Sequence, residues 1–108
     1  MRLPWAGRGR PGTLRGADSA DRDHLVQFIR TRRGVEAYLE PRTAVTDTTL
    51  LLVAGDGEWT RRRVADPEAA EALARKHDLP LYEAARVGYP QRMREWTARR
   101  KAAGDTPS

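Results

Sequence analysis

Apolar and polar positions are organised around one dominant stretch of this chain. Residues 48–64 read Thr-Thr-Leu-Leu-Leu-Val-Ala-Gly-Asp-Gly-Glu-Trp-Thr-Arg-Arg-Arg-Val and hold its only long apolar run and its strongest turn signal. A short run of Leu and Val bounded by turn formers suits a buried strand, and Asp-Gly between two such runs suits a hairpin. The pattern predicts a β-hairpin with Asp56-Gly57 as a two-residue type I′ turn, because both residues tolerate positive φ. Pairing about that turn sets Ala54 opposite Trp59, Leu52 opposite Arg61 and Leu50 opposite Arg63 on one face. Val53 then meets Thr60 and Leu51 meets Arg62 on the other. The leucine strand should be central and the arginine strand nearer an edge.

The flanking pattern supplies the other elements. Over residues 17–33, Asp18, Asp21 and Asp23 precede Leu25, Val26, Phe28 and Ile29, followed by Arg30, Arg32, Arg33 and Gly34. Early acids, late bases and a terminal glycine are what the helix dipole and a C-cap favour. The same apolar cluster also suits a strand over 24–31. Residues 35–40 alternate and stop at Pro41, as a strand does where proline cannot donate to a ladder. Asp66-Pro67-Glu68 reads as N-cap, first helical residue and dipole partner of a second helix. Residues 79–86 read as a further strand, giving a βαβ unit with a right-handed crossover. Gly88-Tyr89-Pro90 turns the chain into a last helix over 90–102. The expected fold is a small α+β domain over residues 18–102, order α-β-β-β-α-β-α, with a three or four stranded mixed sheet and two or three helices. Residues 1–17 should be a flexible basic arm and 103–108 a disordered tail.

Composition narrows the function classes. No stretch approaches the ~20 apolar residues that a bilayer demands, and no secretory leader is visible, so a cytoplasmic protein without membrane contact is expected. The absence of cysteine removes thiolate nucleophiles, disulfides and sulfur-ligated metals. Net charge is +5, from 20 Lys plus Arg against 15 Asp plus Glu, which can attract nucleic acid or an acidic protein surface. An arginine-rich coding bias produces the same excess without any selection for binding.

Candidate chemistry is sparse. His24 and His77 have no partner at metal-ligand spacing, and Asp21 and Asp23 sit where a helix start stabilises acids. Glu36, Glu40 and Asp47 read as a solvated acidic face. No catalytic residue, metal site or cofactor is expected. Gly7-Arg8-Gly9-Arg10-Pro11-Gly12 matches GxGxxG, yet no strand precedes it and proline occupies the phosphate loop. Two sets look more like recognition. Trp59 beside Arg61 and Arg63 can stack bases while pairing phosphates, although Trp59 can equally cover the core above a wet edge strand. In the last helix, Met93, Trp96 and Arg100 share a face, which leaves Arg92, Arg99 and Glu95 on the exposed side, with Glu95 and Arg99 as an i,i+4 pair. Arg94 adds to that basic helix, which suits RNA, DNA or an acidic partner.

Two resemblances add expectations. Arg8-Gly9-Arg10-Pro11 resembles the core of an AT-hook, whose arginines enter the minor groove of AT-rich DNA. The segments Gly57-Glu58-Trp59-Thr60-Arg61-Arg62-Arg63-Val64 and Gly88-Tyr89-Pro90-Gln91-Arg92-Met93-Arg94 resemble a family of small uncharacterised actinobacterial proteins. Some members are labelled oxidoreductase, which implies a cofactor-dependent enzyme; this chain has no cysteine, convincing dinucleotide loop or metal cluster to support that. The expectation is a basic, non-enzymatic binding module for nucleic acid or a ribonucleoprotein, through Arg8, Arg10, Trp59, Arg61, Arg63, Arg92, Arg94, Arg99 and Arg100. The alternative is a protein-interaction adaptor using Trp59, Tyr89 and Trp96 on an acidic partner. Oligomeric state is open.

Overall fold

The computed structural model describes residues 19–104; the arm at 1–17 and most of the expected tail lie outside them. In chain order the elements are α1 (Ser19–Thr31), β1 (Glu36–Glu40), β2 (Thr49–Val53), β3 (Trp59–Arg63), α2 (Pro67–Lys76), β4 (Leu81–Glu83), α3 (Ala84–Val87) and α4 (Gln91–Ala102). This is the expected α+β order, with the last helix where it was expected and one added short helix, α3, in the segment expected as the end of the last strand. The sheet runs β3-β2-β1-β4. Strands β3, β2 and β1 form an antiparallel meander, and β4 joins the far edge parallel to β1. Helix α2 therefore carries the chain from one edge to the other across β2 and β1.

Burial explains the unbroken leucine run. Leu50, Leu51, Leu52 and Val53 are each 0% exposed because helices cover both faces of β2. Leu50, Leu52 and Ala54 pack with Leu25 and Phe28 of α1 and Ala70 and Leu73 of α2. Leu51 and Val53 pack on the opposite face with Tyr38, Ala84, Trp59 and Met93. Burying the apolar face of α1 against the sheet selects helix over strand for residues 24–31.

Helix α2 begins as its residues dictate. Asp66 is extended, and its side chain accepts from the Ala69 backbone N–H at 2.8 Å, with Pro67 following. Replacing Asp66 with alanine is expected to cost about 1 kcal/mol, read as a fall in Tm of about 4–8 °C.

The hairpin differs from its expected register by one residue. Val53 pairs with Trp59, Leu52 with Thr60, Leu51 with Arg61, Leu50 with Arg62 and Thr49 with Arg63. The closing bond runs from the Ala54 N–H to the Glu58 carbonyl at 2.8 Å, and the Gly57 N–H donates to the Ala54 carbonyl at 2.9 Å. Three residues thus span the turn, and Gly57 alone takes the left-handed position, at φ 98°. The Asp56 carboxylate accepts from the Glu58 N–H at 2.9 Å, which holds this longer turn. A slip of one residue exchanges faces. Trp59 and Arg61 consequently join the Leu51 and Val53 side, while Thr60 and Arg62 face α1.

The fourth strand is also shorter than residues 79–86. Only Leu81–Glu83 pair with β1 before Ala84–Val87 coil into α3, and Gly88 at φ 72° ends that turn.

Candidate functional site

The face beneath α3 and α4 gathers the polar chemistry. Period-two alternation along β1 sends Ala37 and Leu39 to the α1 and α2 side and Glu36, Tyr38 and Glu40 to the other. Parallel pairing places Tyr82 beside Tyr38, their ring centroids 5.4 Å apart at 35°. The turn at Gly88 returns Tyr89 to the same face, 6.3 Å from Tyr38 at 53°. Tyr38 is 5% exposed and forms a floor; Tyr82 and Tyr89, at 38% and 39%, form walls. With Glu36, Val87 and Pro90 they line a pocket of about 190 Å³.

Two carboxylate–guanidinium pairs frame this face. Glu40 accepts from Arg61 Nε at 2.7 Å and Nη2 at 2.8 Å, from the Thr49 hydroxyl at 2.7 Å and from the Tyr89 hydroxyl. Burial pushes its carboxyl up, and the bonds from Arg61, Tyr89 and Thr49 outweigh that, holding it below the usual carboxylate range. Glu36 accepts from Arg92 Nη2 at 2.8 Å and from the Tyr38 hydroxyl at 3.0 Å, both on Oε1. The Arg92 bond chiefly lowers its pKa. Burial, then the Glu36 carboxylate, pushes the Tyr38 hydroxyl up to about 12, so it stays protonated and donates. Burial and Glu40 likewise raise Tyr89.

Several expected site residues already have internal partners. Trp59 packs against the second core cluster and donates its indole N–H to the Thr97 hydroxyl at 2.8 Å. The Arg61 guanidinium lies 5.5 Å from the Trp59 ring centroid while held by Glu40. Arg92 is not on the exposed side of α4: it turns inward to Glu36 and to the Ala54 carbonyl at 3.0 Å. Arg99 does not pair with Glu95. It donates to the Asp56 carbonyl at 3.2 Å, and Glu95 accepts from Gln91 at 3.0 Å. Arg94 reaches the Tyr89 carbonyl at 3.3 Å, and Arg100 stacks over Trp96 at 5.5 Å as their shared helix face predicts. Arg63 lies 3.6 Å from Asp47 at the other end of β3. Arg8 and Arg10 lie outside the described residues. The structure thus brings Trp59, Arg61 and Arg92 to one sheet face and strings Arg94, Arg99 and Arg100 along α4.

Sequence reasoning missed the tyrosine pocket. The Glu-Ala-Tyr-Leu-Glu alternation of β1 is visible in the sequence, but the partners of its outward residues arrive from positions 61, 82, 89 and 92.

No family model, curated protein or solved structure matches this chain. The most enzyme-like pair is His24 Nε2 at 2.6 Å from the Thr60 hydroxyl. Thr60 is 3% exposed, and the other ring nitrogen faces Arg62 at 3.4 Å instead of a carboxylate. Burial, then the Arg62 and Arg32 charges, lowers the His24 pKa and disfavours the imidazolium that a general base must become. Among the described residues no group of three or more acids and histidines is arranged to hold a metal ion. None of their helices is long and apolar enough to cross a membrane. A second cavity of about 140 Å³, lined by Leu25, Ala69 and Leu73 with Arg22 and Arg63, lies between α1 and α2. It presents fewer converging polar groups than the tyrosine pocket.

Proposed function

We propose that this protein is a small non-enzymatic binding module that meets nucleic acid or a ribonucleoprotein through the outward side of α4. The carrying observation is the make-up of that helix. It has no fully buried residue and bears Arg92, Arg94, Arg99, Arg100 and Lys101 against the single acid Glu95. Arg92 is half-buried and turned to Glu36, and Arg94, Arg99, Arg100 and Lys101 are exposed. The carbonyl bonds of Arg94 and Arg99 use few of each guanidinium's five donors, and a phosphate can take the others.

Four phosphate contacts imply a log–log salt slope of about −3, so a rise from about 50 to 200 mM salt weakens binding by about 60-fold. Fluorescence anisotropy with mixed-sequence RNA and DNA reads this directly. Arg99→Ala combined with Lys101→Ala should flatten the slope by about 1.5. Affinity weaker than micromolar at low salt, or no salt dependence, would remove the proposal.

A second reading, a protein-interaction adaptor, draws on a different observation. Tyr82, Val87 and Tyr89 are exposed by 38%, 59% and 39% at one end of the sheet, while Arg61 and Arg92 are neutralised by carboxylates. Pull-down from nuclease-treated lysate separates the two: a nucleic-acid binder loses its companions, and an adaptor keeps them.

A further inference from the structure

We propose that the pocket formed by Tyr38, Tyr82 and Tyr89 is a cage for a methylated ammonium head, with Glu36 as its anionic wall. The site is separate from the outward side of α4 and does not depend on nucleic-acid binding. Its volume of about 190 Å³ lies below the ~300 Å³ at which pockets begin to enclose a whole drug-sized ligand, so it accepts a head group. Three rings supply the lining. Tyr82 and Tyr89 incline by 35° and 53° to the Tyr38 floor, presenting non-coplanar surfaces around one volume. Ring faces carry the negative end of the aromatic quadrupole, so they attract a cation placed over them.

The charged groups select the kind of cation. Glu36 lines the pocket, and its bonds from Arg92 and Tyr38 both fall on Oε1; among the described residues none bonds to Oε2, which can face a ligand. Arg92 offsets much of the carboxylate charge, so the ion pair alone is a weak lure for a compact ammonium. A bare –NH₃⁺ must also replace strong hydration with hydrogen bonds, and ring faces do not provide them. A trimethylammonium spreads its charge over methyl groups, has no N–H to satisfy and packs its methyls against tyrosine rings, Val87 and Pro90. That chemistry occurs in free choline-like metabolites and in trimethylated lysine side chains.

Titration of the full chain by aromatic NMR tests the site, with choline compared against 3,3-dimethyl-1-butanol, its neutral isostere. Choline should shift the Tyr82 and Tyr89 ring signals saturably, and the isostere should bind about tenfold more weakly. Equal binding of the two, or no saturable shift with choline, would overturn the cage. This comparison uses the unaltered protein and is unaffected by any folding defect of a variant. Tyr82→Phe should retain choline affinity within about twofold, while Tyr82→Leu should weaken it by about fivefold or more. Unchanged affinity in folded Tyr82→Leu would also count against the proposal. A short trimethyllysine peptide, run beside choline and its unmethylated form, identifies the source of the head by which binds more tightly.

Discussion

Replacing Gly57 with alanine is expected to destabilise the protein by about 3 kcal/mol or more and to lower Tm by about 12–24 °C. Two effects combine. At φ 98° an L side chain is strained by roughly 1–2 kcal/mol. A Cβ there would also lie 2.1 Å from the Arg92 carbonyl oxygen, 2.7 Å from its carbon and 2.9 Å from Trp96 Cβ. Two of these atoms are helix backbone and cannot rotate away, so α4 must lift from the hairpin. The Arg92 bonds to Ala54 and Glu36 and the Trp59 to Thr97 bond should loosen with it, and tryptophan emission should shift to the red. Gly104→Ala is the matched control. Its φ is 88°, yet nothing lies within 4 Å of the added Cβ, so only the backbone cost of about 1 kcal/mol is expected. Similar losses at the two positions would show that α4 is not seated on the turn.

The same glycine shows where sequence reading stops. Leu50 to Val53 announce a central strand because a strand buried on both faces must be apolar throughout, and that inference needs no partner. Asp66-Pro67 announces a helix start for the same reason: the cap is satisfied within three residues. Asp56-Gly57 is a different case. Asp-Gly is compatible with two-residue and three-residue turns, and the choice rests on the Asp56 side-chain bond to Glu58 and on the close seat of Gly57 against α4, some 35 residues later in the chain. Local propensity carries no trace of that contact. The one-residue difference moved Trp59 and Arg61 to the opposite face, and with it the view of Arg61 as a free phosphate ligand instead of the partner of Glu40. The charge pattern of α4 was legible, but the inward turn of Arg92 was not, because its carboxylate lies on β1. Glu36 and Glu40 looked like a solvated alternation for the same reason: the sequence shows spacing along a strand, not what crosses above it.

Glu40 is where that missing information has its largest functional consequence. Glu40→Gln is expected to cost about 2 kcal/mol and to lower Tm by about 8–16 °C. Its side chain is 14% exposed and ties together β1, β2, β3 and the turn before α4 through Thr49, Arg61 and Tyr89. Glutamine keeps the shape but offers one acceptor oxygen in place of two and turns an N–H donor toward groups that are themselves donors. The loss stays below the 3–5 kcal/mol of a fully buried broken pair because Arg61 is 41% exposed and water screens it. pH supplies an independent check. The folded carboxyl sits below its ordinary value of 4.5, so the folded state holds fewer protons than the unfolded one as Glu40 titrates. Its contribution is therefore complete above pH 4.5 and is lost as the pH falls through the lowered folded value. The Tm gap between the parent and Glu40→Gln should be flat from about pH 5 to 8 and shrink toward pH 3. A gap independent of acid would mean that the carboxylate charge does not matter at this junction. Choline titration of the same variant separates fold from site: freeing the Tyr89 hydroxyl should weaken binding in the tyrosine pocket while leaving the salt slope for RNA on α4 unchanged.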